Sequence, residues 1–322
     1  MTIIVETKDL TRVYGTNLAL DSLNLEIPQG AVYGFIGPNG AGKTTTMRIL
    51  TTLLRPTSGQ AWVAGHAVGG DERAVRRVVG FMPDFFGVYD SMKSWEYLDF
   101  FAASYGVPPQ RRKTMIDELL DLVDLAHKRD DYVMGLSRGM KQRLSLARTM
   151  AHDPALLILD EPASGLDPRA RIELRELLKE LRSMGKTIMI SSHILSELAE
   201  MCSHIGIIER GKLLASGDVA TIMRSLQPHR TFEVHLLAAE NGDLAQRMES
   251  AASLVRPLAG VMEVRALPES TPPILQIDYS GDEAGISDLL AALVAGGVRV
   301  THFAGQVSNL EDIFMQVTQG IV

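Results

Sequence analysis

The chain has 322 residues, 46% of them hydrophobic and 22% charged, with a formal net charge of −7. That length supports a large core plus a second domain. The acidic balance gives no support to nucleic-acid binding, which leaves a basic footprint. A lone cysteine, Cys202, excludes an internal disulfide framework and fits a reducing cytosol. No stretch reaches the roughly 20 apolar residues of a membrane span. The N-terminus, MTIIVETKDL, lacks a basic region followed by an apolar one and does not read as a signal peptide.

In chain order, Thr2 to Val5 and Leu23 to Ile27 are expected as strands, with turns around Gly15 and Gln29-Gly30. Ala31 to Ile36 is a continuous apolar strand that runs into GPNGAGKT, Gly37 to Thr44. Lys43 to Leu54 follows as a helix stopped by Pro56. Gly59 to Val68 reads as a hairpin strand and Val78 to Met82 as another short strand. From Ser94 to about Asp131 the period is helical, split by Pro108-Pro109. Ser137 to Ala151 is a further helix with Ser137 as its cap. Ala155 to Leu159 and Thr187 to Ser191 are strands, and Arg169 to Met184 is an amphipathic helix between them. This alternation argues for an α/β fold with a mostly parallel sheet covered on both faces.

The character changes near Gln227-Pro228. Strands are expected at Thr231 to Leu237, Val261 to Leu267, Ile274 to Tyr279 and Val298 to Phe303. Helices are expected at Asp243 to Leu254, Ala284 to Ala295 and Leu310 to Thr318. The βαββαβ order predicts a small ferredoxin-like α+β domain over 227–322, after a first domain over 1–226. The second domain contains no CxxC and no paired histidines along the sequence, and it is expected to serve dimer contact or regulation.

Three motifs carry chemistry. Gly37-x-x-x-x-Gly42-Lys43-Thr44 follows a strand and opens a helix, the context in which backbone N–H groups wrap phosphates. Lys43 adds a compact positive charge for the β- and γ-phosphates, and Thr44 a hydroxyl for Mg²⁺. LLILDEP, Leu156 to Pro162, ends a buried strand in Asp160-Glu161, at the sheet edge where ligands gather in α/β proteins. Asp160 is the expected Mg²⁺ partner, and Glu161 the group that orients or deprotonates an attacking water. Between these lies Leu136-Ser137-Arg138-Gly139-Met140, where Ser137 and the Gly139 N–H at a helix start form a second anion-binding position.

From Leu10 to about Gly217 the chain resembles the nucleotide-binding domain of ATP-binding cassette (ABC) proteins, whose signature motif reads LSGGQ. The resemblance implies a P-loop NTPase fold with a RecA-like core, an antiparallel β subdomain and a helical subdomain over about 90–152. It implies ATP and Mg²⁺ as cofactors, with Tyr14 stacking on adenine and Gly37, Pro38, Asn39, Gly40, Ala41, Gly42, Lys43, Thr44 and Thr45 holding the phosphates. Ser137, Gly139 and Asp167, the last in the D-loop Ser164-Gly165-Leu166-Asp167, would meet ATP held by a second copy. His193, in Ser191-Ser192-His193, matches the histidine that contacts the γ-phosphate. Asp84, after Gly80-Phe81-Met82-Pro83, stands where the family usually has glutamine and is carried over as a catalytic and Mg²⁺-binding position. Arg138 and Met140 replace a common glycine and the usual glutamine and read as tolerated variation.

The resemblance further implies an ATPase at the cytoplasmic face of the membrane, paired with a second copy of itself and with separate transmembrane permease subunits. The stretch from Asp84 to Asp90, with Phe85, Phe86 and Tyr89, and the following Trp95 are expected to dock those subunits. The wording around Asp84, Ser192-His193-Ile194-Leu195-Ser196-Glu197 and Ser308-Asn309-Leu310-Glu311-Asp312-Ile313-Phe314 is similar to ABC-2-type drug and antibiotic exporters. An importer subunit shares the nucleotide motifs. A non-transport ABC ATPase fits less well, because it would carry a coiled-coil insertion or a second cassette.

Overall fold

The structure is a computed structural model, and it describes residues 2–84, 87, 89, 91–194, 198, 201–226, 230–237, 244–270 and 272–305. The chain divides into two compact units, Met1–Ile222 and Met223–Val322.

The first unit contains two sheets. An antiparallel sheet is built from β1 (Ile3–Tyr14), β2 (Asn17–Leu23), β5 (Ser58–Val63) and β6 (His66–Ala67), ordered β2-β1-β5-β6, with β3 (Glu26–Pro28) also on β1. The expected Leu23 to Ile27 strand is interrupted at Asn24. Its side chain exchanges hydrogen bonds with Asp9 and donates to the Ser22 carbonyl, so the backbone leaves β2 and re-enters as β3.

The second sheet holds β4 (Val32–Ile36), β7 (Val79–Met82), β8 (Leu156–Leu159), β9 (Thr187–Ser192), β10 (His204–Glu209) and β11 (Lys212–Asp218), in the order β11-β10-β4-β9-β8-β7. All pairs are parallel except the β10–β11 hairpin. That hairpin is absent from the sequence-based expectations; its two-residue turn, Arg210-Gly211, has φ of 47° and 80°, the left-handed pair such a tight turn requires. Strands β4, β8 and β9 are buried along their length, as a sheet covered on both faces demands.

Helix α1 (Lys43–Leu50) is shorter than expected. Pro56 does not stop it. The Thr51 hydroxyl folds back on the Met47 and Arg48 carbonyls, and Thr52 takes φ of 62°, which ends the helix one turn earlier. Helix α2 (Glu72–Val78), capped by Asp71, was not anticipated, because its apolar face consists of little more than Val75. Helices α3 (Ser94–Ser104) and α4 (Pro109–Leu122) divide where the prolines predict, with Pro109 at the first turn of α4. Helices α5 (Arg138–Thr149) and α6 (Pro168–Ser183) are capped by Ser137 and Asp167. Helix α7 (Val219–Leu226) follows β11.

The second unit places β12 (Arg230–Leu236), β13 (Val261–Leu267), β14 (Ile274–Tyr279) and β15 (Val300–Gly305) in one antiparallel sheet ordered β13-β14-β12-β15. Helices α8 (Leu244–Val255) and α9 (Glu283–Ala295) supply Met248, Ala252, Leu289 and Leu293 to a core with Val234, Leu275 and Ile277. The expected Val298 to Phe303 strand begins at Val300, and the helix expected over Leu310 to Thr318 lies outside the described residues. His235 and His302, 67 positions apart, face each other across β12 and β15 with ring centroids 4.7 Å apart, a pairing invisible along the chain. Among the described residues no group of three or more His, Cys, Asp or Glu side chains could hold a metal.

Ile158, fully buried in β8 within the main core, should report on the stability of the first unit. Ile158→Ala is expected to cost about 3 kcal/mol in denaturant unfolding. The exposed Ile172→Ala on α6 should stay within about 0.5 kcal/mol.

Candidate functional site

Parallel pairing sets the site. Met82 aligns with Leu159, Leu159 with Ile190, and Ile36 with Ser192, so β4, β7, β8 and β9 all end at one edge of the sheet. Directly after those ends come Gly37, Asp84, Asp160-Glu161 and His193. Four remote segments thereby meet without any loop having to travel far.

The loop from Gly37 to Gly42 is shaped by close approaches. A Cβ on Gly37 would collide with the Ile208 carbonyl, and one on Gly42 would run into Leu20 and Ala19. Gly40 and Gly42 also take φ of 82° and 111°. Lys43 closes the loop from inside: its Nζ donates to the Gly37 carbonyl at 2.6 Å and the Pro38 carbonyl at 3.3 Å. With a side chain only 6% exposed, Lys43 pairs with Glu161 Oε1 at 3.5 Å. Burial lowers its pKa from the ordinary lysine value, and the Glu161 carboxylate opposes that shift.

Asp160 is 1% exposed, yet both its oxygens are occupied. Thr44 Oγ1 donates to Oδ2 at 2.8 Å and Ser191 Oγ to Oδ1 at 2.5 Å. Burial raises its pKa above the usual carboxylate range; the two hydroxyls work against that, while the charges of Asp84 and Glu161 add to it. Ser191 has a second task, accepting the Glu161 N–H at 2.8 Å and so holding Glu161 at φ of 50°. The sequence reading overlooked Ser191, although it sits two residues before His193 on a strand whose end was already marked. The Glu161 carboxylate lies between Lys43 and His193, with Oε2 2.9 Å from His193 Nδ1.

These groups border a cleft of about 570 Å³ lined by Tyr14, Asn17, the loop Pro38 to Thr45, Asp84, Glu161, Ser164, His193 and Arg138. Tyr14 ends β1 at a tight turn into β2, 42% exposed, with the Arg12 guanidinium 4.6 Å from its ring centre. Ser137, Gly139 and Asp167 line a different cavity of about 410 Å³, between the starts of α5 and α6. There Ser137 Oγ accepts the Met140 N–H at 3.3 Å and Asp167 Oδ1 the Ala170 N–H at 2.9 Å, each capping its own helix. One chain thus presents two separate cavities, one at the strand ends and one at the helix starts.

The model of the family described as "ABC transporter" matches residues 20–164. The Nod factor export ATP-binding protein I of Cupriavidus metallidurans is 34% identical over 319 residues, 99% of this chain and 98% of that one. The chain belongs to the ABC transporter ATP-binding proteins. The bacitracin transport ATP-binding protein of Bacillus licheniformis is 44% identical over 66% of this chain and 69% of its own length. The daunorubicin/doxorubicin resistance ATP-binding protein of Streptomyces peucetius is 33% identical over 98% of this chain and 92% of its own. A solved ATP-binding subunit of an ABC transporter superposes with a TM-score of 0.63 at 29% identity, covering 69% of this chain and 92% of that one. This ABC protein is therefore an ATP-binding ATPase with the cassette fold, of the kind found in exporters.

Among the residues expected to dock membrane subunits, Phe85 and Phe86 lie outside the described residues. Trp95 is half-buried beneath the Arg129 guanidinium, 5.5 Å from its ring centre. Tyr89, within the expected stretch, is exposed and packs edge to face with the exposed Phe100 at 5.5 Å.

A buried carboxyl with a raised pKa destabilises the folded chain progressively as pH rises above its unfolded value. Asp160→Asn removes that penalty. Its thermal midpoint should exceed that of the parent at pH 7.5, with the gain shrinking toward pH 4. A gain independent of pH would contradict the origin assigned to it.

Proposed function

We propose that this chain hydrolyses ATP at the cleft bounded by Lys43, Asp160, Glu161 and His193, as the motor subunit of an exporter whose membrane path is made by separate permease chains. The observation that carries the catalytic part is the Glu161 carboxylate, held between Lys43 and His193 at the edge where the phosphate loop opens. Its exporter character rests on relatives whose names specify bacitracin transport, Nod factor export and daunorubicin resistance.

In this reading Tyr14 stacks on the adenine and the N–H groups of the Pro38 to Thr45 loop hold the phosphates, helped by the N-terminus of α1. Lys43 moves its donors from loop carbonyls to the β- and γ-phosphate oxygens. Glu161 orients a water and accepts its proton as the water oxygen bonds to the γ-phosphorus and the bond to the β-bridging oxygen breaks, leaving ADP and phosphate. His193, bound to Glu161 through Nδ1, is left with Nε2 for the γ-phosphate. Mg²⁺ fits the all-oxygen donor set here: Thr44 Oγ1 and Asp160 Oδ2 already lie 2.8 Å apart, with Asp84 as a further carboxylate. When bound, it neutralises phosphate charge.

Ser137 and Gly139 line a cavity other than the nucleotide cleft, which suits a contact made across an interface. A second copy would bring its own phosphates there, so that ATP joins two subunits and hydrolysis releases them. The second unit, as an accessory domain, would add dimer contact or regulation. Among the described residues no helix is long and apolar enough to cross a membrane. The proposed place, peripheral at the cytoplasmic face, follows from the pairing with permease chains.

Glu161→Gln should retain ATP binding and lose at least about 100-fold in turnover, and with ATP it should elute as a dimer in size exclusion. Adding Ser137→Ala should return it to monomer. Turnover of Glu161→Gln at the parent rate would refute the role given to Glu161. Tyr14→Ala should weaken ATP binding about tenfold in titration calorimetry while leaving turnover at saturation largely intact.

A further inference from the structure

Arg138, the first residue of α5, stands where the resembling family commonly has glycine, and its side chain is not idle. Its Nη2 donates to the Ser164 carbonyl at 3.1 Å. The guanidinium plane also lies against Gly165, close enough that a Cβ there would overlap it, and Gly165 holds φ of 69°. The same arginine borders both cavities, the nucleotide cleft and the one between the starts of α5 and α6. Among the described residues no carboxylate pairs with it, so its charge is directed at a backbone carbonyl.

The segment it grips is the one that carries Glu161. The Ser164 N–H donates to the Glu161 carbonyl at 3.0 Å, closing a single turn. Glu161 in turn is fixed by Ser191 on its N–H side and by His193 and Lys43 at its carboxylate. From the first residue of α5 to the carboxylate, the path is one side-chain hydrogen bond and one backbone turn. On the side of α5, Arg138 lies between Ser137, whose hydroxyl caps the helix, and Gly139.

Resting on the reading of Glu161 given above, we propose that Arg138 is a positioning residue that ties the start of α5 to the Glu161 turn. An anion seated at Ser137 and Gly139 then orders the carboxylate belonging to the same chain, and each subunit's hydrolysis is linked to its hold on the partner's ATP. The tie needs arginine. A charge-assisted bond to a carbonyl combined with a planar face laid on glycine is a geometry that a lysine ammonium does not reproduce.

The test is steady-state ATP turnover of the full chain, alone or with its permease. Arg138→Gly should lower kcat about five- to tenfold and leave KM for ATP within about twofold, because the tie bears on reaction geometry and not on nucleotide grip. Arg138→Lys should recover less than half of the loss. Gly165→Ala should displace the guanidinium, and it should cost at least about threefold more in the parent than in Arg138→Gly, as coupled neighbours do. An unchanged kcat in Arg138→Gly, a change confined to KM, or independent effects of Gly165→Ala in the two backgrounds would each overturn the proposal. Glu161→Gln serves as the control. If it is inactive while Arg138→Gly is normal, only the tie is refuted; if it turns over at the parent rate, the reading of Glu161 falls first.

Discussion

A carboxylate that is 1% exposed must have its oxygens bonded or it will not remain charged, and much of the site is arranged around meeting that condition for Asp160. Thr44 comes from the start of α1 and Ser191 from the end of β9, so the two hydroxyls fasten the phosphate loop and the neighbouring strand to β8. Ser191 then serves Glu161 through its backbone N–H. Removing the carboxylate would relax the fold and dismantle the apparatus together. Its persistence in a position unfavourable for stability is the kind of strain tolerated at functional sites.

Beyond Asp160, the cleft depends on what the backbone can approach. Gly37 lies against the Ile208 carbonyl of β10, so the loop is seated on a strand at the other side of β4 from β9. Lys43 is held by loop carbonyls and by Glu161, a set of partners that phosphate oxygens can replace without moving the helix. Charge within the cleft is therefore arranged before nucleotide arrives, which is how preorganised sites stabilise developing charge at little cost in reorganisation.

Two cavities lie on either side of the Ser164-Gly165 turn. One is built by the strand ends, the other by the starts of α5 and α6. Arg138 occupies that boundary. Under the proposed sharing of ATP between two copies, a residue that touches both sides is placed to make the two events dependent. The paired histidines of the second unit, by contrast, lie on a polar sheet face and join no third ligand among the described residues.

Much of this was legible in the chain. GPNGAGKT follows an apolar strand and opens a helix, and that local context carries the phosphate loop without reference to the rest of the molecule. LLILDEP likewise announces a buried strand ending in acids, and Pro108-Pro109 separates α3 from α4 by backbone chemistry alone. Short-range bonding decided α1 against the proline expected to end it, since side-chain folding by Thr51 outcompetes a breaker five residues away. What only the tertiary structure decided is which remote groups meet: Ser191 with Asp160, His193 with Glu161, Arg138 with Ser164, and His235 with His302. Strand order and register bring these segments together, through a core that pairs residues as remote as Tyr33 and His204. A single local window contains no trace of them, because the energy that brings them together belongs to the shared core and not to any one segment.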